Sequence, residues 1–263
     1  MQTSHLASAA LGLCLVAGGP VLAQTSTPQA QTPASAAAAP ATGVDPQALD
    51  ALKRMSAYLQ TLPAVQLTSN ASLDVVTRQG QRVQLDGVVD YKIKQPNAFV
   101  IDMNSDQKKR RFYYDGKQFT VYGPTMGYYA TADAPPTIRE TLAAIDARYG
   151  IELPLEDLFR WNDPTGNPAE NLISGFPVGT ATIDGVETEH YAFRQKDVDW
   201  QIWIQKGAQP LPRKVVIVDR TDEAHPTYTA RLAWNVNPSF TADEFAFRPG
   251  KDSKQIRLSE LSN

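Results

Sequence analysis

The stretch DWQIWIQKGAQPLPRKVVIVD, residues 199–219, decides the fold class because it has the pattern of two β-strands joined by a short loop. In the first arm the apolar side chains of Trp200, Ile202 and Ile204 alternate with polar ones, which places one apolar row on one face of a strand. A glycine and two prolines then favour a turn. The second arm, residues 215–218, is apolar at every position, which is typical of a strand covered on both faces. Other elements are therefore expected to pack on each side of this sheet.

Alternating apolar positions continue on both sides of this hairpin. Upstream, two apolar rows within residues 67–93 answer each other across a short polar turn, and residues 99–103 alternate again. The dipeptide Asp115-Gly116 is a favoured two-residue hairpin turn. Downstream, one more alternating strand runs through residues 228–236. Consecutive strands joined by short turns predict an antiparallel meander.

Two segments have the apolar spacing of helices. Asp45 caps the first, Pro46 occupies its first turn, apolar residues recur every three or four positions, and Pro63 ends it. In the second, residues 137–149, a threonine cap is followed three residues later by glutamate. A third helix is expected near residues 153–161. These helices either close over the open side of the sheet as a lid or plug its core, and both alternatives stay open.

The start of the chain predicts export. Residues 1–23 contain an apolar core followed by small residues, which indicates a secretory signal peptide cleaved after Ala23. A retained membrane anchor is the rival interpretation, but the glycines and proline at residues 18–20 cut the apolar span short of a bilayer's thickness. Residues 24–44, rich in Ala, Pro, Thr and Gln and without charge, predict a disordered linker. The expected location is the periplasm.

The remaining chain is expected to be one mainly β (α+β) domain, residues 45–248, followed by a flexible charged tail, residues 249–263. Cys14 is the only cysteine and lies in the signal segment, so neither a disulfide nor a cysteine-based metal site is expected in the mature chain. The 25 Lys and Arg residues against 28 Asp and Glu residues give a formal charge of -3. This mildly acidic balance does not attract nucleic acid.

Four stretches together resemble a known superfamily. They are PNAFVID (residues 96–102), YYDGKQFTVY (113–122), WIQKGAQPLPRKV (203–215) and LAWNVN (232–237). With the signal peptide and the helical interruption, they make the chain similar to the periplasmic lipoprotein-carrier (LolA/LolB-like) superfamily, and within it to a group of uncharacterised predicted periplasmic proteins. The resemblance implies a curved antiparallel half-barrel sheet covered by a few helices, with an apolar cavity that accepts acyl chains.

Residues that could carry catalysis or bind a metal are few. After the signal segment only His190 and His225 remain as histidines, and neither belongs to a metal-binding or nucleophile motif. The acidic residues Glu152, Glu156 and Asp157 surround a predicted helix start, where carboxylates favour the helix dipole. No catalytic residue, cofactor or metal ion is therefore expected, and the chain is interpreted as a non-enzyme.

Apolar rows of the predicted sheet supply the candidate binding site. If the sheet curves, these rows face its inside and line a cavity, or they form a filled interior, and both alternatives stay open. The candidate lining residues are Leu73, Val75, Leu85, Tyr91, Phe99, Ile101, Met103, Phe112, Tyr114, Trp200 and Ile202. The expected ligand is a lipid or a lipidated polypeptide.

A basic cluster precedes one of the aromatic runs. It consists of Lys108, Lys109, Arg110 and Arg111. Such a cluster is either a solvated turn or a transient contact with anionic lipid headgroups. The sequence thus predicts a periplasmic carrier of a hydrophobic ligand; the alternative is a structural or protein-interaction module of the envelope whose core is filled.

Overall fold

The computed structural model describes residues 43–151, 153, 158, 161 and 168–260, which form two α-helices and twelve β-strands. The helices are α1 (Pro46–Thr61) and α2 (Ile138–Tyr149). The strands are β1 (Ala64–Val76), β2 (Arg82–Lys94), β3 (Ala98–Ser105), β4 (Lys109–Tyr114), β5 (Gln118–Gly123), β6 (Tyr128–Asp133), β7 (Ser174–Ile183), β8 (Val186–Arg194), β9 (Val198–Gln205), β10 (Pro212–Asp219), β11 (Thr227–Asn235) and β12 (Lys254–Gln255). The predicted signal peptide and its cleavage site after Ala23 lie outside the described residues.

All twelve strands belong to one sheet. Their order is β12-β6-β5-β4-β3-β2-β1-β11-β10-β9-β8-β7, and every pairing is antiparallel except that of β12 with β6. The two edge strands do not pair with each other, so the sheet stays open as a curved half-barrel. The predicted mainly β fold is confirmed, and so is the meander, because most strands pair with the next one along the chain.

One face of the sheet carries the core. On β1 the buried side chains are those of Val65, Leu67 and Ser69, at every second position. The register extends this row across neighbouring strands, because Leu67 lies opposite Tyr91 of β2 and Trp234 of β11. Apolar residues of α1 and α2 belong to the same cluster of buried side chains. We call this helix-covered side the inner face and the opposite side the outer face.

The hairpin at residues 199–219 forms β9 and β10, with Val215 opposite Ile202 and Ile217 opposite Trp200. A register irregularity falls between Pro212 and Lys214. Of the four apolar residues at 215–218 only Val215 is buried, and the other three are half-buried. The predicted covering of both faces is therefore incomplete, because both described helices pack on the inner face.

Helix α1 forms for the reasons that the sequence predicts. The Asp45 carboxylate accepts a hydrogen bond from the backbone N–H of Gln47 at 2.7 Å, and Pro46 occupies the first turn. Residues spaced by three and four positions bury one side of the helix against the inner face: Ala48, Ala51, Leu52, Met55, Ser56 and Leu59. The end of the predicted linker is structured, because Val44 bridges to Gly175 at the start of β7.

Helix α2 has a cap at each end. The Thr137 hydroxyl oxygen accepts a hydrogen bond from the backbone N–H of Glu140 at 3.2 Å, and Gly150 ends the helix with a φ of 61°. Ile145 is buried in the core. The third helix predicted near residues 153–161 lies mostly outside the described residues; three of its apolar side chains are described and buried, those of Leu153, Leu158 and Trp161. No helix in the described part of the chain is long and apolar enough to cross a membrane.

The segment after β11 crosses the outer face. The ring of Phe247 lies 5.0 to 5.4 Å from three tyrosine rings on β4, β5 and β6, those of Tyr113, Tyr122 and Tyr129. Lys92 of β2 donates a hydrogen bond to the Glu244 carboxylate at 2.7 Å. The chain then forms β12, in which Lys254 lies opposite Tyr128 of β6. Residues 254–255, within the tail predicted from residue 249, form backbone hydrogen bonds with the sheet edge.

Candidate functional site

The eleven residues that the sequence predicts as a cavity lining all lie on the inner face, but they separate into two groups. Seven are buried in the core: Tyr91, Phe99, Ile101, Phe112, Tyr114, Trp200 and Ile202. Four are partly or largely exposed: Leu73, Val75, Leu85 and Met103. Only the second group can touch a molecule from solution without rearrangement of the core.

The buried group is a filled interior. The ring centroids of Phe193 and Trp200 lie 4.3 Å apart, and Trp161 lies 5.3 Å from Trp200. The Tyr114 hydroxyl donates a hydrogen bond to the Pro135 carbonyl oxygen at 2.5 Å. A carboxylate placed among these rings would be buried without a partner. Aspartate at Phe99 or Trp200 would therefore report on folding and not on ligand binding.

The exposed group extends into a small apolar surface at the open end of the inner face. Leu73 is 45% exposed and pairs with Leu85 on one side and with Tyr228 on the other. Val75 pairs with Val83, which is 36% exposed. We call these five residues the mouth patch. Met103 lies farther along the inner face, opposite Val89.

The path of α1 explains why this end of the face is open. The helix begins beside Gly175 at the start of β7 and ends at Thr61, shortly before β1 begins at Ala64. The start of β7 lies in the same register row as Leu73, five strands away, so the helix crosses the inner face diagonally and reaches β1 only at the end where that strand starts. The mouth patch lies at the other end, where β1 finishes and β2 starts, and α1 does not extend there.

A basic rim borders the mouth patch. The turn between β3 and β4 lies at the same end of the sheet, because Ser105 pairs with Gly87 of β2. Four basic residues at the end of this turn and the start of β4 are exposed: Lys108, Lys109, Arg110 and Arg111. Arg111 donates to the Asp102 carboxylate at 2.6 Å, whereas Arg110 lies opposite Met103 on the inner face. In the adjacent turn Met126 is 77% exposed.

The histidines have structural environments. The ring of His190 stacks on Trp203 with centroids 4.0 Å apart, and its Nε2 lies 2.9 Å from Gln201 Oε1. Burial lowers the pKa of His190, and the charge of Lys214 adds to this effect. His225 is exposed in the loop between β10 and β11. Among the described residues no group of three His, Cys, Asp or Glu side chains could hold a metal ion. The acidic cluster Glu152, Glu156 and Asp157 lies outside the described residues.

The mouth patch lines neither of two depressions that open elsewhere on the described surface. One of about 540 Å³ lies on the outer face and has mainly polar walls, formed by Asn70, Ala71, Ser72, Asp86, Gly87, Val88, Asn104, Ser105, Asp106, Thr229 and Arg231. Another of about 350 Å³ lies between α1 and the β9–β10 loop, beside Arg54, Glu189 and Lys206. With Leu73 45% and Val83 36% exposed, the mouth patch is an open apolar surface.

The sequence analysis misses two members of the mouth patch as lining residues. Val83 and Tyr228 both belong to predicted apolar rows, so the alternation contains the signal. What it lacks is the register, which places Val83 opposite Val75 and Tyr228 opposite Leu73.

Solved structures that are similar to this chain share little of its sequence. An uncharacterized conserved protein from Thermus thermophilus has 12% identity and a TM-score of 0.48 over 80% of this chain and 99% of that chain. LprF from Mycobacterium bovis has 12% identity and a TM-score of 0.42 over 79% and 100% of the two chains. A LolA superfamily protein from Nitrosomonas europaea has 8% identity and a TM-score of 0.37 over 76% and 97%.

A comparison with curated protein sequences finds no match. The family model described as "Predicted periplasmic protein (DUF2092)" matches residues 48–259. This match covers both described helices except the first two residues of α1, and all twelve strands. The chain therefore belongs to the DUF2092 family of predicted periplasmic proteins.

Proposed function

We propose that the protein is a periplasmic binding or carrier protein that holds a hydrophobic ligand, a lipid or a lipidated polypeptide, on the inner face of the half-barrel. The observation that carries this proposal is the mouth patch. Five apolar or aromatic side chains from three adjacent strands form one surface that the described helices leave uncovered. The family description of a periplasmic protein supports an exported carrier.

Burial alone supplies the binding energy. Fully burying a leucine or valine side chain is worth about 1.5 to 3 kcal/mol, so covering the exposed 45% of Leu73 contributes about 1 kcal/mol. Each methylene group of a ligand that leaves water contributes about 0.8 kcal/mol. A chain of roughly ten carbons thus gains several kcal/mol after the entropy cost of association. This mechanism needs no catalytic residue, cofactor or metal ion.

The filled interior lies beside the mouth patch on the same inner face and holds its strands in place. Of the eleven predicted lining residues, we assign direct ligand contact to Leu73, Val75, Leu85 and Met103. The seven buried residues act indirectly, because their close packing fixes the strands that present the patch. A ligand larger than the patch would need part of this core to open.

Native mass spectrometry of the exported chain, followed by organic extraction, tests the proposal. The expected result is a mass above that of the polypeptide and a lipid or acylated peptide in the extract. Protein incubated with lipid and then separated from it provides a second loading route. A bare polypeptide mass in both preparations would refute the carrier function.

The basic rim supports a further partner, an anionic membrane surface. Lys108, Lys109 and Arg110 are exposed, whereas Arg111 is paired with Asp102. Each basic side chain near an anionic bilayer contributes about 1 kcal/mol, so replacing the first three by glutamine should weaken binding about hundredfold. Sedimentation with phosphatidylglycerol vesicles measures this, and phosphatidylcholine vesicles are the control. Equal sedimentation of wild type and variant would exclude the basic rim as the membrane contact.

A second candidate function, an envelope protein-interaction module, is favoured by the edge strand β7, which beyond its bridge to Val44 pairs only with β8 in the described part of the chain. At and just before β7 three large apolar side chains are exposed, those of Ile173, Phe176 and Val178. A photo-crosslinking residue at position 178 should capture a discrete envelope protein in cells if this edge is the interface. The control places the photo-crosslinking residue at position 72, on the outer face of β1. Equal amounts of adduct from positions 178 and 72 would rule out the β7 edge as the interface.

A further inference from the structure

One charged side chain stands on the inner face near the mouth patch. The pairing register identifies the inner-face positions of β1 to β6 and β11, because every second residue of a strand lies on the same face. Among all these positions only one carries a charged residue, and that residue is Arg110 of β4. The outer face differs, since a single register row there contains Asp90, Asp102 and Arg111.

Arg110 also differs from its neighbours in its pairing. Lys109 and Arg111 occupy outer-face positions, and Arg111 donates to the Asp102 carboxylate at 2.6 Å. The side chain of Arg110 is exposed and makes no ion pair or hydrogen bond with any residue that the structure describes. Its guanidinium is therefore available to an anion from solution.

The neighbours of Arg110 are apolar and leave room for a ligand headgroup. On one side Met103 of β3 lies opposite Arg110 and is half-buried. On the other side β5 ends in Gly123, one position beyond the residue that pairs with Arg111, and a Cβ atom there would meet nothing closer than 3.8 Å. Tyr128 of β6 pairs with this glycine and is 39% exposed. Apolar surroundings strengthen the attraction between a cation and an anion.

Small residues connect this position with the mouth patch. Arg110 and Leu85 lie two strands apart and about four residues apart along the strands, which is about 16 Å on the sheet. Gly87 and Ser105 pair with each other in the row between them. Because neither side chain rises far above the sheet, an extended palmitoyl chain can lie across this row and reach both positions.

The guanidinium group decides the class of headgroup. It offers parallel N–H donors that match the two oxygens of a carboxylate or phosphate. A neutral headgroup gains no ion pair there. No carboxylate occupies the inner-face positions of β1 to β6 or β11, so none of those positions repels an anion.

We propose that Arg110 binds the phosphate or carboxylate headgroup of an anionic amphiphile whose hydrocarbon chain lies on the mouth patch. This proposal rests on the proposed function and adds the charge of the ligand and its orientation. The headgroup lies beside Met103 and Tyr128, and the chain runs from there toward Leu85 and Leu73.

Two ligands that differ only in a phosphate group test the site. Monopalmitoylglycerol and palmitoyl lysophosphatidic acid, below their critical micelle concentrations, compete with a pyrene-labelled monoacylglycerol for the exported chain. Wild type should bind the phosphate about tenfold more tightly than the neutral ligand. Arg110→Gln should reduce this preference toward unity and bind the neutral probe as wild type does. Lys109→Gln removes a charge one residue away on the outer face and should keep the preference. Palmitate and hexadecanol form a second pair, for the carboxylate.

The outcomes separate this site from the carrier function. Equal affinity of wild type for the anionic and neutral members of both pairs overturns the headgroup site but leaves a hydrophobic carrier. A preference that survives in Arg110→Gln, or that Lys109→Gln removes equally, also overturns the site. Displacement of the probe by inorganic phosphate alone would assign Arg110 to a free anion and contradict an amphiphile. Failure of the probe and of every ligand to bind overturns the carrier function and the site together. Thermal unfolding checks the fold, because replacing an exposed, unpaired arginine should leave the Tm unchanged.

Discussion

Replacing Leu73 with aspartate should abolish ligand binding and leave the fold intact. Because the side chain is 45% exposed, the new carboxylate keeps access to water in the unliganded protein. The loss of the buried half of leucine should cost about 1 to 2 kcal/mol of unfolding free energy. That cost is tolerable for a domain with an ordinary stability of about 5 to 15 kcal/mol.

The effect on binding should be much larger than the effect on folding. A ligand chain over position 73 loses about 1 kcal/mol of apolar burial, which is about fivefold in Kd, and this is the loss expected for Leu73→Ala. Leu73→Asp adds the cost of dehydrating a carboxylate beneath the chain, which is several kcal/mol. The expected loss for the aspartate variant is therefore at least about hundredfold.

Fluorescence titration with a dansyl-labelled undecanoic acid measures both variants, and thermal unfolding checks their folding. Val178→Asp on β7 is the matched control, because Val178 is 50% exposed in a strand at the far edge of the sheet. It should bind the probe as wild type does. Wild-type affinity of a folded Leu73→Asp variant would refute the assignment of the mouth patch.

Three further predictions concern stability and pH. Phe247→Ala should lower the free energy of unfolding in urea by about 2 kcal/mol, because it removes contacts with three tyrosine rings. The control Phe176→Ala should lower it by less than half as much. Equal losses in the two variants would contradict the role of the aromatic cluster. The hydrogen bond from Arg194 lowers the pKa of Asp199, so this carboxylate stabilises the fold at neutral pH and the contribution is lost as the pH falls below about 4. Arg194→Gln should raise that pKa in a carboxyl NMR titration, and an unchanged titration would refute the pairing. Burial lowers the pKa of His190, so the folded chain binds fewer protons there than the unfolded chain and stability should fall as the pH drops below about 6.5. His190→Gln should remove this slope from urea midpoints measured at about pH 5 and pH 8, and an identical slope would assign it to another group.

Sequence periodicity predicts the side of a strand but not how far a covering helix extends along it. Phe99 and Leu73 both stand in alternating apolar rows, yet Phe99 is buried and Leu73 is largely exposed. The difference arises because α1 crosses the inner face diagonally and reaches β1 only at the end where that strand starts. This crossing depends on the bridge between Val44 and Gly175, a contact between residues far apart in the chain.

The short-range features are the ones that the sequence predicts well. The cap at Asp45 depends on neighbouring residues and occurs as expected. The hairpin turn predicted at Asp115-Gly116 forms one residue later, at Gly116-Lys117, because the Asp115 carboxylate accepts the backbone N–H groups of Lys117 and Gln118. The packing of Phe247 against tyrosines from three strands has no local signal, since each tyrosine alone fits an ordinary outer-face position. The pairing of β12 with β6 involves two residues, too few for any period to indicate a strand.

Methyl NMR spectroscopy of protein with labelled leucine and valine side chains tests the central claim most directly. Titration with monopalmitoylglycerol should shift the methyl signals of Leu73, Val75, Val83 and Leu85, and leave that of Val178 in place. Shifts confined to residues outside the mouth patch, or no shift at saturating ligand, would contradict the claim that this open end of the inner face binds a hydrophobic molecule.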